Sequence, residues 1–283
     1  MSRPPTFVPP ACARARMLET SRGDFAVLDA LPGGAVRGTA LLLPGYTGSK
    51  EDFIAMLEPL TAAGYRAVAV DGRGQYESEG PDAQEAYAQG ELAQDVLAQA
   101  VAVGGPVHLV GHSLGGQIAR ATVLTDAASF RTLTLISSGP ARISPGQRSK
   151  VELLSDALVA MDMAEVWDAM RALDPPEEAE PNGQGREDLR RRWLRHNPAQ
   201  LLAAGRQLTV EPDRVGELAA VPLPKHVLSG ERDDTWPVPL LDDMAQRLGA
   251  HRTVIEGAEH SPNTDRPRET AGALTAFWNQ YAD

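Results

Sequence analysis

Five residues, Gly111-His112-Ser113-Leu114-Gly115, read G-x-S-x-G inside the run VHLVGHSLGGQIAR. A serine hydroxyl is a poor nucleophile until a base takes its proton. Chemistry at Ser113 therefore needs a histidine as base and a carboxylate to orient that histidine and stabilise its charged form. The chain has six histidines. His108 and His112 lie too close to Ser113 in sequence to swing onto its hydroxyl. His196 sits in a helical stretch, His226 opens an apolar run and His251 precedes another. His260 stands in the polar loop EGAEHSPNTDRP, directly after RTVIE and before a last helix. That placement makes it the expected base. The carboxylate belongs on the loop after the preceding strand, SGERDDTWPV, which offers Glu231, Asp233 and Asp234. The loop after TLTLI has no carboxylate.

The elements that must position these groups alternate. TALLL (39–43), RAVAV (66–70), VHLVG (107–111), TLTLI (132–136), KHVLS (225–229) and RTVIE (252–256) are short, nearly continuous apolar runs. Such runs suit strands covered on both faces. Helices are expected near 50–63, 88–103, 114–128, 239–249 and 265–281, the first opened by a capping box from Ser49 and Asp52. FAVLDAL (25–31) is expected as an antiparallel leading strand. The pattern predicts an α/β fold with a mostly parallel, doubly covered central sheet. Ser113 then falls between a strand and a helix, whose N-terminal dipole favours negative charge there. The rhythm stops between 139 and 221, where helical patches flank the Pro/Gly/acid-rich stretch DPPEEAEPNGQG. The expected division is a core of 1–138 and 222–283 with a helical cap at 139–221.

Composition narrows the partners. Net charge is −11 with 42% hydrophobic and 23% charged residues, so nucleic acid and anionic membrane surfaces are not expected partners. No apolar run is long enough to span a bilayer, and the N-terminus has no secretory pattern. One cysteine, Cys12, allows no internal disulfide, and no metal-type Cys/His spacing occurs. A cytoplasmic protein acting on a small molecule is the expectation.

Five motifs in order resemble those of the α/β-hydrolase superfamily, and the likeness covers nearly the whole chain. GHSLGG resembles its nucleophile elbow, LLLPGYTGSKEDF its oxyanion loop and DGRGQYES its D-x-R-G-x-G-x-S segment. SGERDDTWPV resembles G-x-x-D-x-x-x-P, and AEHSPNTDRP its histidine loop. The resemblance implies a triad of Ser113, Asp233 and His260, with the backbone amides of Tyr46 and Leu114 as oxyanion hole. The chain departs from the pattern at three places. Pro44 replaces a histidine that normally supports the oxyanion loop, Tyr76 stands where glycine is frequent, and Ala258-Glu259 precede His260.

The implied reaction is hydrolysis of an ester or related acyl bond through an acyl-enzyme, with no metal or organic cofactor. Serine at the elbow argues against the dehalogenase and epoxide-hydrolase branches, which use aspartate there. Thioesterase, lactonase, amidase, C–C bond hydrolase and cofactor-free perhydrolase share the same triad, and a non-catalytic ligand-binding protein can share the frame. Tyr46, His112 and Trp236 are candidate substrate contacts, with core packing an equal reading of Trp236. Met161, Met163, Trp167 and Met170 could roof the site or simply pack. Arg73 is expected to tie loops together, and Arg190-Arg191-Arg192 to be a solvated helix face, with a carboxylate-binding role as the alternative.

Overall fold

The computed structural model describes residues 2–173 and 183–281. Most of the stretch DPPEEAEPNGQG (residues 174–182) lies outside them. Eight strands form one sheet: β1 (Ala13–Thr20), β2 (Gly23–Ala30), β3 (Gly38–Leu43), β4 (Tyr65–Val70), β5 (Val107–His112), β6 (Phe130–Ile136), β7 (Lys225–Gly230) and β8 (His251–Ile255). Their order is β1-β2-β4-β3-β5-β6-β7-β8. β3 to β8 are parallel, and β2 pairs antiparallel with both β1 and β4.

Residues alternate between two cores along these strands. Leu41, Leu43, Val68, Val70, Leu109, Leu133 and Leu135 face one core. α2 (Gln89–Ala102), α3 (Leu114–Thr125) and α9 (Val238–Leu248) cover that face. Leu42, Ala67, Ala69, Val110 and Ile136 face the other, under α1 (Ile54–Ala62) and α10 (Pro267–Trp278). Both faces are covered, which is why the runs read as continuously apolar. β1 carries no such signal: at the sheet edge only Ala13 and Leu18 are buried.

The expected capping box at Ser49 does not form. Residues Lys50–Phe53 are a 3₁₀ turn without a side-chain cap. Ser49 Oγ instead donates to Glu51 Oε2 at 2.6 Å, and Asp52 is engaged by an arginine from elsewhere. A capping box does close on α5 (Met163–Ala172), between Asp162 and Glu165.

Between β6 and β7 lie α4 (Pro145–Ala160), α5, α6 (Gly183–Arg195), α7 (Pro198–Val210) and α8 (Val215–Ala219). Trp167, Leu189, Trp193 and Leu201 give this insertion a small core of its own. α7 and α8 also reach the main core, α7 through Ala204 and Leu208 and α8 through Val215 and Leu218. Met163, Trp167 and Met170 belong to the insertion's core, and Met161 is partly exposed; none of them reaches the cavity described below.

Candidate active site

Ser113 sits on the turn between β5 and α3 with φ 54° and ψ −118°. Positive φ strains a residue with a side chain, and such strain persists only when the surroundings impose it. Here they do. A Cβ at Gly111 would strike the Gly115 carbonyl, and one at Gly115 would meet the carbonyls of Leu43 and Pro44 at 2.5 Å. The glycines let strand, turn and the loop after β3 close on one another, with the Ser113 hydroxyl at the carboxyl edge of the sheet.

His260 Nε2 lies 3.1 Å from Ser113 Oγ. On the other side of the ring, Nδ1 lies 2.9 and 3.0 Å from the two carboxylate oxygens of Asp233. Asp233 is fully buried at the side chain. Its Oδ1 also accepts the amides of Thr235 at 2.8 Å and Trp236 at 3.1 Å. These donors hold an ionised carboxylate against the imidazole. Asp234 points elsewhere, toward Gln147 and, at 3.7 Å, Lys150. Of the six histidines only His260 reaches Ser113: His108 and His226 bind Thr132 and Thr253, each at 2.9 Å, and His251 stacks on Phe277.

His112 is buried beside the relay, and its Nε2 lies 2.9 Å from the backbone carbonyl of His260. Burial pushes its imidazole down to about 4. A neutral ring facing a carbonyl must carry its proton on that nitrogen, so Nε2 donates. The sequence pattern did not show this link, because it ends on a backbone atom.

The serine opens into a cavity of about 520 Å³ whose walls include Tyr46, His112, Gln147, Val151, Leu208 and His260. Tyr46 does face this space, and its hydroxyl donates to Leu201 O in α7 at 2.8 Å. Burial of that phenol pushes its pKa up. Trp236 is not a wall. It is fully buried in the main core, and its indole donates to Ala141 O at 2.9 Å. Tyr76 does not narrow the cavity either. It keeps a positive φ of 40°, the conformation a glycine would supply, and turns its ring onto Phe7 and over Lys50 Nζ. Arg73 makes a structural bond, but to Asp95 on helix α2 at 2.7 Å rather than to another loop.

Arg192 overturns the expectation of a solvated arginine face. It is completely buried, donating to Asp52 Oδ1 at 2.7 Å and to Ser2 O at 2.6 Å. Arg190 is exposed. Removing one member of a buried pair leaves the other charge uncompensated. Arg192→Met is therefore expected to lower the unfolding free energy by about 3 kcal/mol in a urea titration, and Arg190→Met by under about 0.5. Equal small effects would mean that the Asp52 pair contributes nothing.

A doubly covered parallel sheet with a strained serine at a strand-to-helix turn, and a histidine and aspartate on later loops, defines a class of nucleophile-elbow proteins. The chain belongs to the alpha/beta hydrolase family, which it matches over residues 40–273. It is 31% identical over 183 residues to a pimeloyl-(acyl-carrier protein) methyl ester esterase of Aeromonas hydrophila, spanning 60% of this chain and 69% of that protein. Among solved structures it resembles a thermophilic esterase of Thermogutta terrifontis, with TM-score 0.75, 21% identity, and 96% and 100% of the two chains covered. An esterase of Exiguobacterium antarcticum is similar, with TM-score 0.76, 19% identity, and 94% and 100% covered. At those identities the structural likeness shows the fold. No helix among the described residues is long and apolar enough to cross a membrane.

Proposed function

We propose that this α/β-hydrolase is a serine esterase for a small acyl substrate. The observation that carries the reading is the unbroken line Asp233–His260–Ser113, with contacts of 2.9 and 3.1 Å. In this reading Ser113 Oγ attacks the ester carbonyl while His260 Nε2 takes its proton. The amides of Tyr46 and Leu114 receive the negative oxygen. His260 then protonates the departing alcohol, and by the same route activates water to release the acyl group. Asp233 holds Nδ1–H and so leaves the Nε2 lone pair toward the serine. The similarity to an ester-cleaving relative supports an ester as the scissile bond.

The insertion over 139–221 serves as the cap. Its covering part includes α4 and α7, whose Gln147, Val151 and Leu208 wall the cavity, whereas α8 supplies no wall residue. A cytoplasmic setting belongs to the same proposal and rests on the single, unpaired cysteine. The test is labelling by a fluorophosphonate probe. The parent is expected to label stoichiometrically and Ser113→Ala not at all. Equal labelling of the two would remove the assignment. Among labelled species, a series of p-nitrophenyl esters of rising chain length then sizes the acyl pocket, with thioesters and lactones as competing substrate classes.

A further inference from the structure

Gly45 and Tyr46 share one peptide unit. That unit is planar and trans, so its carbonyl and its N–H point in opposite directions. Whatever fixes the Gly45 carbonyl therefore aims the Tyr46 amide. The Gly45 oxygen accepts from Gln75 Nε2 at 2.9 Å and, more weakly, from Gly48 N at 3.2 Å. Gln75 comes from outside the loop, in the turn that follows β4.

The orientation of this side chain is set from both ends. Gln75 Oε1 accepts Gly72 N–H at 3.0 Å, so the amide nitrogen has to be the atom facing Gly45 O. The Gln75 backbone amide in turn donates to Gly72 O at 2.9 Å. The fold-back needs glycine at 72, where a Cβ would sit 2.8 Å from Gln75 Oε1. Gln75 is buried, and it lines a void of about 30 Å³ with Leu43, Pro44 and Leu114, separate from the substrate cavity. The Gly45 carbonyl is thus drawn to the side of the loop away from the substrate. Pro44 carries no side-chain donor that could do this from within the loop. Tyr46 Oη on Leu201 O, and His196 facing Gly48 O at 3.1 Å, brace the loop's outer part but not this peptide.

We infer that Gln75 is a positioning residue for the oxyanion hole, fixing the Gly45–Tyr46 peptide so that the Tyr46 N–H is presented to the substrate side. The inference rests on the proposed serine-esterase reading. The hydrogen bond acts twice. It removes the freedom of the peptide to rotate, and it polarises the carbonyl, which makes the N–H at the other end a better donor. Both effects matter most where negative charge develops in the transition state, and little for the neutral ester.

Gln75→Met removes both the donor to Gly45 O and the acceptor for Gly72 N–H; Gln75→Glu keeps the shape and the acceptor and removes the donor when its carboxyl is ionised, so its rate is read at alkaline pH. Rates of p-nitrophenyl butyrate hydrolysis, normalised to sites titrated by fluorophosphonate, exclude misfolded molecules from the comparison. Loss of a whole oxyanion donor lowers kcat by about 10²–10³; misaiming one is expected to lower it by about tenfold to thirtyfold, with KM held within about twofold. A trifluoromethyl ketone, whose adduct with Ser113 carries a negative oxygen, is expected to weaken by the same factor as kcat/KM. Butyrate, a ground-state ligand, is expected to bind unchanged. A role confined to stability would leave kcat per titrated site and the ketone's Ki at parent values, and that result overturns the inference. A rise in KM alone overturns it too. A parent that neither labels nor hydrolyses through Ser113 instead brings down the esterase reading itself. Ser113-dependent activity that survives intact in both Gln75 variants brings down only the role of Gln75.

Discussion

Asp233→Asn is expected to reduce kcat/KM by about 10⁴, about 5.4 kcal/mol of transition-state stabilisation. The reason lies in which atoms the amide would place where. Asp233 Oδ1 accepts the amides of Thr235 and Trp236 at 2.8 and 3.1 Å, so an asparagine keeps its oxygen there. Its NH₂ then falls at the position of Oδ2, 3.0 Å from His260 Nδ1, and competes for that nitrogen with the retained oxygen at 2.9 Å. A donor facing Nδ1 favours the tautomer with the proton on Nε2, the atom that must be bare to accept from Ser113. The uncompensated imidazolium formed during attack is also less stable without the carboxylate. His260→Ala is expected to lose more, and the double variant to fall within about threefold of His260→Ala, because the two residues act as one unit. Asp234→Asn is the control. Its carboxylate faces Gln147 and Lys150 rather than His260, so its rate should stay within about fivefold of the parent. Comparable losses in Asp233→Asn and Asp234→Asn, or a tenth of the parent rate retained by Asp233→Asn, would contradict the relay.

What could be seen in the sequence follows a physical rule. β3 to β7 were visible because each is buried on both faces and so reads as an uninterrupted apolar run; β8, an edge strand with only Ile255 buried, was visible through the β-branched run Thr253-Val254-Ile255. β1, ARARMLET, was not, because an edge strand with two buried residues needs no pattern. The proposed relay was visible because Ser113, Asp233 and His260 meet through their side chains, at fixed places relative to strands. Positions that act through the backbone were not. Gln75 holds the carbonyl of Gly45, and His112 that of His260; neither partner leaves a trace in residue types. Trp236 and the Met161–Met170 stripe were left open between two readings. Large apolar side chains near a motif fit a pocket wall and a core equally well until their neighbours are known, and here the cores claim Trp236, Met163, Trp167 and Met170, while Met161 is exposed. Arg192 fails for a related reason. Three consecutive arginines read as one solvated face, yet a helix turns about 100° per residue, and the one aimed inward met a buried Asp52.

Acidification between pH 6.5 and 4 is expected to unfold the protein, through histidines rather than carboxylates. Burial pushes His108, His112 and His196 down to about 4 and His226 to about 3, against 6.5 when unfolded. Below 6.5 the unfolded chain takes up protons that the folded chain refuses, so stability falls with pH and the loss is complete only below the folded-state values. At pH 5 each group forfeits ~2 kcal/mol and the four together ~8 kcal/mol, on the scale of a domain's whole stability of about 5–15 kcal/mol. Asp71 runs the other way. Burial raises its carboxyl pKa, so proton uptake there favours the folded state. Lys50 Nζ at 2.8 Å and Lys50 N at 2.7 Å hold the ionised form and limit that offset. A net loss of several kcal/mol remains, and the urea midpoint should fall steadily from pH 7.5 to 5. His226→Gln, which can still bond Thr253 Oγ1, is expected to erase ~2 kcal/mol of the fall. A midpoint that stays level over that range, or a His226→Gln variant as acid-sensitive as the parent, would show that these imidazoles accept protons without leaving their packed positions.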